Sequence, residues 1–260
     1  ERHWRDARLT SQGDLNLGVV QALGRDVVLT GLAALDVDQV LAARNATLTS
    51  VGALDAGSVE ATAGDLLIDS QSTLDIDDAF AGQDASLLSA GALVAGTLEA
   101  DTGDLLADSE AGLTVDVARS GRDLTLSSAN AMTVGLVDAG RDASLNSDGA
   151  LTVTTLQAGR DAGLDSAALL TVETSAVAGD DLTLASAAGI VAEDLATTGL
   201  GADAGNDGAN VRATARNVTI GTIDAAGDAI VRATTGDVSI RRVTAGDDAF
   251  ITAEVGDALV

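Results

Sequence analysis

The chain has 260 residues, with 40 Asp and Glu against 14 basic residues that are all Arg, a formal charge of −26 and a pI near 4.1; so acidic a surface repels phosphate backbones and anionic headgroups, which excludes nucleic-acid and membrane-surface binding as first readings. The absence of Cys excludes disulfides and thiolate metal sites, and the absence of Pro leaves every backbone N–H able to join a hydrogen-bonded ladder. Hydrophobic residues make up 46% of the sequence and aromatics 1%, so the interior has to be a narrow, layered one of Leu, Val, Ile and Ala.

The opening residues, ERHWRDARLT, contain the only His, His3, lack the order of a signal peptide and do not begin with Met. No run approaches the 18 or so apolar residues of a membrane-spanning helix, so no membrane insertion is expected. From Asp6 onward an Asp, or an Asn in its place, opens each short apolar segment, at Asp6, Asp26, Asn45, Asp65, Asp84, Asp104, Asp123, Asp142, Asp161, Asp181, Asn210, Asp228 and Asp248. The separations are 20, 19, 20, 19, 20, 19, 19, 19, 20, 29, 18 and 20 residues. A period this regular marks a solenoid, whose repeats bury their apolar faces against the repeats before and after them. It predicts one domain over 1–260, built of about 13 coils of 19–20 residues.

Three segments recur in each coil. The first follows the ruler residue and alternates, as in Leu124-Thr125-Leu126 and Leu182-Thr183-Leu184, with its first and third residues inward. The second alternates again, through Leu113 and Val115, Met132 and Val134, Leu151 and Val153, and Val238 and Ile240. The third is shorter, typified by LVDAG before Asp142 and TLQAG before Asp161, and ends in a tight turn. Three short strands per coil, with no room for a helix between them, predict an all-β fold, a parallel β-helix. The Leu and Asn spacing of a leucine-rich repeat is missing.

The ruler positions are expected to be structural. Stacked carboxylates would repel one another, yet Asn45, Asn210 and Asn217 hold comparable strand-opening positions, and Asn keeps the side-chain oxygen while losing the charge. What is retained is hydrogen bonding to the turn backbone. Turn capping is therefore assigned to Asp26, Asn45, Asp65, Asp84, Asp104, Asp123, Asp142, Asp161, Asp181, Asn210, Asp228 and Asp248. Arg often precedes the ruler residue, as Arg5, Arg25, Arg122, Arg141 and Arg160, where a guanidinium can bridge carboxylates of neighbouring coils; Gln83, Asp180 and Asp247 hold the same slot elsewhere.

The 29-residue gap after Asp181 places an insertion loop near 199–208, GLGADAGNDG. Its Asp203, Asn206 and Asp207 are the only metal candidates, as oxygen ligands for Ca²⁺. Their spacing matches neither the EF-hand loop nor the glycine-rich nonapeptide of calcium-binding β-rolls, and a surface loop without metal is the preferred reading. The pattern resumes after the loop and stops at GDALV, partway through a coil, so the chain reads as a shaft segment of something longer.

No catalytic or cofactor-binding residue is assigned. A Ser, His and Asp arrangement lacks a base beyond His3, and Trp4, Phe80 and Phe250 are too scattered to line a sugar-binding groove. A polysaccharide-acting β-helix enzyme is the least favoured reading, and the chain is expected not to be an enzyme. The outward residues two past each mark form no regular Thr plane, against ice binding. The sequons at Asn45 and Asn217 are read as chance agreement with the repeat.

The motifs SGRDLTLSSANAMTV at 120–134 and AGRDASLNSDGALTVTTLQAGRD at 139–161 resemble the 19- to 20-residue repeats of filamentous haemagglutinin-type exoproteins, the passengers of two-partner secretion, which include adhesins and the stalks of contact-dependent inhibition toxins. The resemblance covers essentially all of 1–260. It implies a right-handed coil, export through an outer-membrane secretion transporter, and display as a secreted or cell-surface fibre. On that basis the chain is expected to be the structural shaft of a bacterial adhesin or extracellular fibre serving attachment or biofilm formation, or alternatively the stalk of a contact-dependent toxin-delivery exoprotein. Neighbouring β-helix segments, or a receptor met by regions outside this sequence, would be its other partners. The family's secretion domain and its toxin or receptor-binding modules are not recognisable here, so none of its binding residues carries over to a numbered position.

Overall fold

The computed structural model describes residues 6–199 and 209–260. The fold is an all-β parallel β-solenoid of about 12 turns with two parallel sheets, two strands to the turn. The chain divides into two compact units, Glu1–Ala129 and Asn130–Val260.

In the first unit five-residue and eight-residue strands alternate: β1 (Ala7–Ser11), β2 (Leu15–Ala22), β3 (Val27–Gly31), β4 (Leu35–Ala42), β5 (Ala46–Ser50), β6 (Leu54–Ala61), β7 (Leu66–Ser70), β8 (Leu74–Ala81), β9 (Ala85–Ser89), β10 (Leu93–Ala100), β11 (Leu105–Ser109), β12 (Leu113–Ser120) and β13 (Leu124–Ser128). Odd strands pair only with odd strands and even with even, all parallel and in register. The second unit repeats the plan with β14 (Met132–Ala139), β15 (Ala143–Ser147), β16 (Leu151–Ala158), β17 (Ala162–Ser166), β18 (Leu169–Ala178), β19 (Leu182–Ser186), β20 (Gly189–Thr197), β21 (Val211–Ala215), β22 (Asn217–Ala225), β23 (Ala229–Ala233), β24 (Val238–Ala245), β25 (Ala249–Ala253) and β26 (Ala258–Leu259). Its pairing is again odd with odd and even with even.

Two features of the expected coil are corrected. Thirteen ruler marks bound twelve intervals, and the turn opened by Asp248 holds only β25 and the two-residue β26. The expected three strands per coil are two, because the second and third segments are one strand: LTVTTLQA is continuous as β16. Along β14 the inward residues are the first, third, sixth and eighth, so two successive residues, Gly135 and Leu136, break the alternation without burying either. The backbone bends there but stays in the ladder: between β10 and β12 the pairing passes from Ala95 with Val115 to Thr97 with Val117, skipping a single position. At this bend the neighbouring carbonyl leans in. In β6 a Cβ on Gly57 would lie 2.5 Å from the Asp38 carbonyl oxygen, so this turn takes glycine there, whereas Asp38 and Asp116 hold the same place in β4 and β12.

The inward rows that run through the first and third residues of β13 and of β16 are aliphatic, as the period demands. Leu124, Leu126, Leu182 and Leu184 on the odd strands, and Leu113, Val115, Met132, Val134, Leu151, Val153, Val238 and Ile240 on the even ones, are all buried. The alternation of 19 and 20 residues arises mostly at the corner from even to odd strands. That corner is Ala43-Arg44-Asn45 in one turn and Thr62-Ala63-Gly64-Asp65 in the next. The longer version needs its glycine, since a Cβ on Gly64 would sit 2.2 Å from Asn45 Oδ1. In β18 the extra residue is instead absorbed within the strand as a register shift against β16.

The 29-residue spacing leaves the register intact: β19 pairs with β21 and β20 with β22. The proposed insertion loop lies, from residue 200 to 208, outside the described residues. Beside it, the Thr197 hydroxyl donates to the Ala209 carbonyl at 2.8 Å and accepts the Ala226 N–H at 3.1 Å, joining the two sides of the insertion.

Candidate functional site

The ruler residues come together as a ladder at the corner that leads into each odd strand. In the first unit each side-chain oxygen accepts the backbone N–H of the equivalent residue one turn on: Asn45 donates to Asp26 Oδ1 at 3.3 Å, Asp65 to Asn45 at 3.0 Å, Asp84 to Asp65 at 3.3 Å, Asp104 to Asp84 at 2.9 Å and Asp123 to Asp104 at 3.2 Å. In the second unit Asp161 donates to Asp142 at 3.3 Å, Asp181 to Asp161 at 3.1 Å, Asn210 to Asp181 at 3.0 Å, Asp228 to Asn210 at 2.9 Å and Asp248 to Asp228 at 3.0 Å. The carbonyls of the same residues accept from the preceding turn, as Val27 N–H to Asn45 at 2.9 Å and Ala46 N–H to Asp65 at 3.0 Å. The side chain thus supplies an acceptor where the backbone ladder has none to offer; an amide left without one costs about 1–3 kcal/mol where it is buried and less where water reaches it.

Asn serves at the buried mark for an electrostatic reason. Asn210 is 1% exposed; a carboxylate there would lose its hydration, whereas the amide keeps the accepting oxygen without the charge. Asn217 is not a member of this ladder. It opens β22 at the other corner, where its Oδ1 accepts the Asp237 N–H at 3.3 Å, and Asp237 in turn accepts from Asp257 at 2.9 Å.

Arginines one residue before a mark reach back to the mark of the preceding turn. Arg122 holds Asp104 through two bonds, at 3.0 and 2.9 Å, and lies 3.5 Å from Asp84. Arg160 makes the same paired contact with Asp142, its Nε at 2.7 Å. Arg44, which the sequence reading passed over, bonds Asp26 at 2.9 Å, and Arg25 stands 3.9 Å from Asp6. Arg5 lies outside the described residues. In the Gln83 slot the amide donates instead to the Ala63 carbonyl at 3.3 Å.

A second column escaped the sequence reading: the residue closing each odd strand from β5 to β19 is a buried Ser, at Ser50, Ser70, Ser89, Ser109, Ser128, Ser147, Ser166 and Ser186. Ser109 Oγ donates toward the Gly91 carbonyl of the preceding turn at 2.8 Å and the Gly112 carbonyl at 3.0 Å, and accepts the Ala111 N–H at 3.2 Å. Ser89 reaches Ser72 O at 2.8 Å, Ser147 reaches Asn130 O at 2.6 Å and Ser166 reaches Gly149 O at 2.8 Å in the same way. The signal was present as a Ser recurring at the ruler's own period.

Carboxylates also stack on the outer face of the even strands of the first unit. Asp36, Asp55 and Asp75 face one another in register across β4, β6 and β8, and Asn16 Nδ2 donates to Asp36 Oδ2 at 2.9 Å. Partial burial, and then the charges of Asp75, Asp36 and Asp77, push the Asp55 carboxyl above its usual pKa.

Among the described residues one trio has metal-ligand geometry: Asp228, Asp247 and Asp248 can bring one oxygen each to within 4.8 Å of the others. One Asp228 oxygen already accepts the Asp248 N–H, so the corner ladder accounts for the proximity. The Ca²⁺ candidates Asp203, Asn206 and Asp207, like His3 and Trp4, lie outside the described residues. Phe80 and Phe250 sit on an even and an odd strand respectively, in different units. Chemically, the two corner columns satisfy backbone groups where the chain changes direction. A scan against protein-family models and searches of curated proteins and of solved structures each found no match to this chain.

Proposed function

We propose that the chain is a structural shaft segment of a secreted bacterial surface adhesin or extracellular fibre of the filamentous haemagglutinin type, projecting a distal binding module. The observation that carries this reading is the corner chemistry: the Asp/Asn ladder and the Ser column direct their hydrogen bonds along the stack, from turn to turn, as a shaft requires. The proposed winding is right-handed, the hand that parallel strand connections adopt almost without exception. Export would use an outer-membrane secretion transporter, and the charge of −26 keeps neighbouring shafts apart at the cell surface.

Negative-stain imaging of the purified chain tests the shaft. Thin rods of uniform width are expected, and compact globules would refute the reading. Fusion of the segment to a two-partner secretion signal, expressed with and without the cognate transporter, tests the route. Transporter-dependent appearance in the medium is expected, and retention in the cell in both cases would refute it.

A further inference from the structure

A trough runs along the stack at the corner that follows the odd strands of the first unit. Two adjoining hollows, of about 220 and 290 Å³, share Asp69 and Gln71 and so form one groove. One wall is made by Thr49, Asp69, Leu88 and Asp108, the fourth residues of successive odd strands, and the other by Val51, Gln71, Ala90 and Glu110. The floor is the Ser column, whose hydroxyls at Ser50, Ser70 and Ser89 are already bonded to corner carbonyls. The walls therefore decide what the groove can hold. They offer carboxylates, an amide, a hydroxyl and aliphatic surface, with no Arg among the lining residues.

We propose that this groove docks an extended cationic peptide segment in the polyproline II conformation, with Arg or Lys at every third position. The occupant follows from charge and spacing. An anionic ligand would meet Asp69, Asp108 and Glu110, and a second copy of this chain would bring its own charge of −26 against them. A cationic segment is attracted by the same groups. Asp69 and Asp108 both pair in register with Leu88, one on each side. Two strand spacings set their rows about 9.6 Å apart, close to the rise of about 9.3 Å over the three residues of one polyproline II turn. Successive basic side chains of such a segment reach Asp69 and Asp108, and the residues between them rest on Leu88 and Ala90.

The test uses the whole chain and a fluorescent peptide with three Pro-Pro-Arg repeats, followed by anisotropy. Binding is expected, and the double substitution Asp69→Asn, Asp108→Asn should weaken it by about tenfold or more. Asp36→Asn with Asp75→Asn, the same charge change on the outer face of the even strands, should alter it by less than about twofold. A peptide of the same composition with its three Arg in succession should bind more weakly, and a Pro-Pro-Glu peptide should not bind. The proposal is overturned if the Pro-Pro-Arg peptide fails to bind, if both double variants lose affinity equally, or if the clustered-Arg peptide binds as well. Matching far-UV circular dichroism spectra and a cooperative melt for each double variant and the parent show that each variant retains the fold.

Discussion

Arg122 grips Asp104 from one turn further along, Nε to Oδ1 at 3.0 Å and Nη2 to Oδ2 at 2.9 Å, while the same Oδ1 accepts the backbone N–H of Asp123. Two interactions of different worth therefore meet on one carboxylate. The guanidinium contact is half exposed on both sides and contributes about 0–1 kcal/mol; the amide it leaves in place is the costlier one to orphan.

Substitution at Asp104 separates the two. Asp104→Asn keeps an oxygen for the Asp123 amide and should cost less than about 1 kcal/mol. Asp104→Ala removes it and should cost about 1–3 kcal/mol. Urea unfolding of both variants checks the order, and equal losses would assign the residue's value to the charge.

The Ser column makes a sharper prediction because its hydroxyls are buried. Ser109→Ala strands the Ala111 N–H and weakens the hold on the Gly91 carbonyl, for a loss of about 1–3 kcal/mol. Thr125→Ala, on the exposed face of the next odd strand, should stay within about 0.5 kcal/mol. Thermal melts of the pair read the difference directly.

Two glycines should respond oppositely to the same change. In Gly57→Ala the new methyl meets the Asp38 carbonyl at 2.5 Å, and overpacking of that kind costs about 1–3 kcal/mol. Around Gly163 a Cβ meets nothing within 4 Å, so Gly163→Ala should be neutral or stabilise by about 0.4–1 kcal/mol through the unfolded chain. Denaturant midpoints of the two variants test the contrast.

The column of Asp36, Asp55 and Asp75 gives the first unit a pH dependence of defined sign. The folded pKa of Asp55 is raised, so the folded state binds its proton more tightly than the unfolded chain does. Its favourable contribution is present in acid and is lost as pH rises through the folded pKa. No Arg or His lies among the outward residues of β4, β6 and β8 to offset this; Asp38, Gln39, Asp77 and Asp78 share the face. Asp55→Asn should therefore stabilise the chain at pH 7, with the gain shrinking as pH falls into the carboxylate range. Unfolding midpoints at pH 4 and pH 7 measure it; a gain of equal size at both would exclude titration as its source.

Much of the solenoid was legible because stacking demands chemical sameness at fixed intervals. Asp26, Asn45 and Asp65 must each present an oxygen at the same corner, and Leu124 and Leu126 must both face inward, so the period and the inward rows are written in residue types. The strand count was not. The break in alternation at Gly135-Leu136 reads alike whether the chain turns away or bends inside its ladder, and only hydrogen bonding to the next turn distinguishes the two. The Ser column was hidden for a related reason: Ser109 sits beside Glu110 and Ala111 in a run that looks like an exposed turn, and its burial comes from the turn stacked against it. Asn217 resembles the ruler residues because it too opens a strand, although it serves the opposite corner.

Each ladder bond within a unit runs the same way: the amide of the later residue, 18 to 20 positions on or 29 across the insertion, donates to the side-chain oxygen of the earlier one. The arrangement is therefore vectorial. A completed layer already displays the corner side-chain oxygen that the incoming layer's amide needs, whereas the incoming layer's own corner side chain offers its oxygen to the layer that follows; the backbone carbonyls at the same marks accept in the opposite sense, from the layer before. Order should spread by templating from the amino-terminal side toward the carboxy-terminal side, so a polypeptide emerging amino end first would find its scaffold prepared.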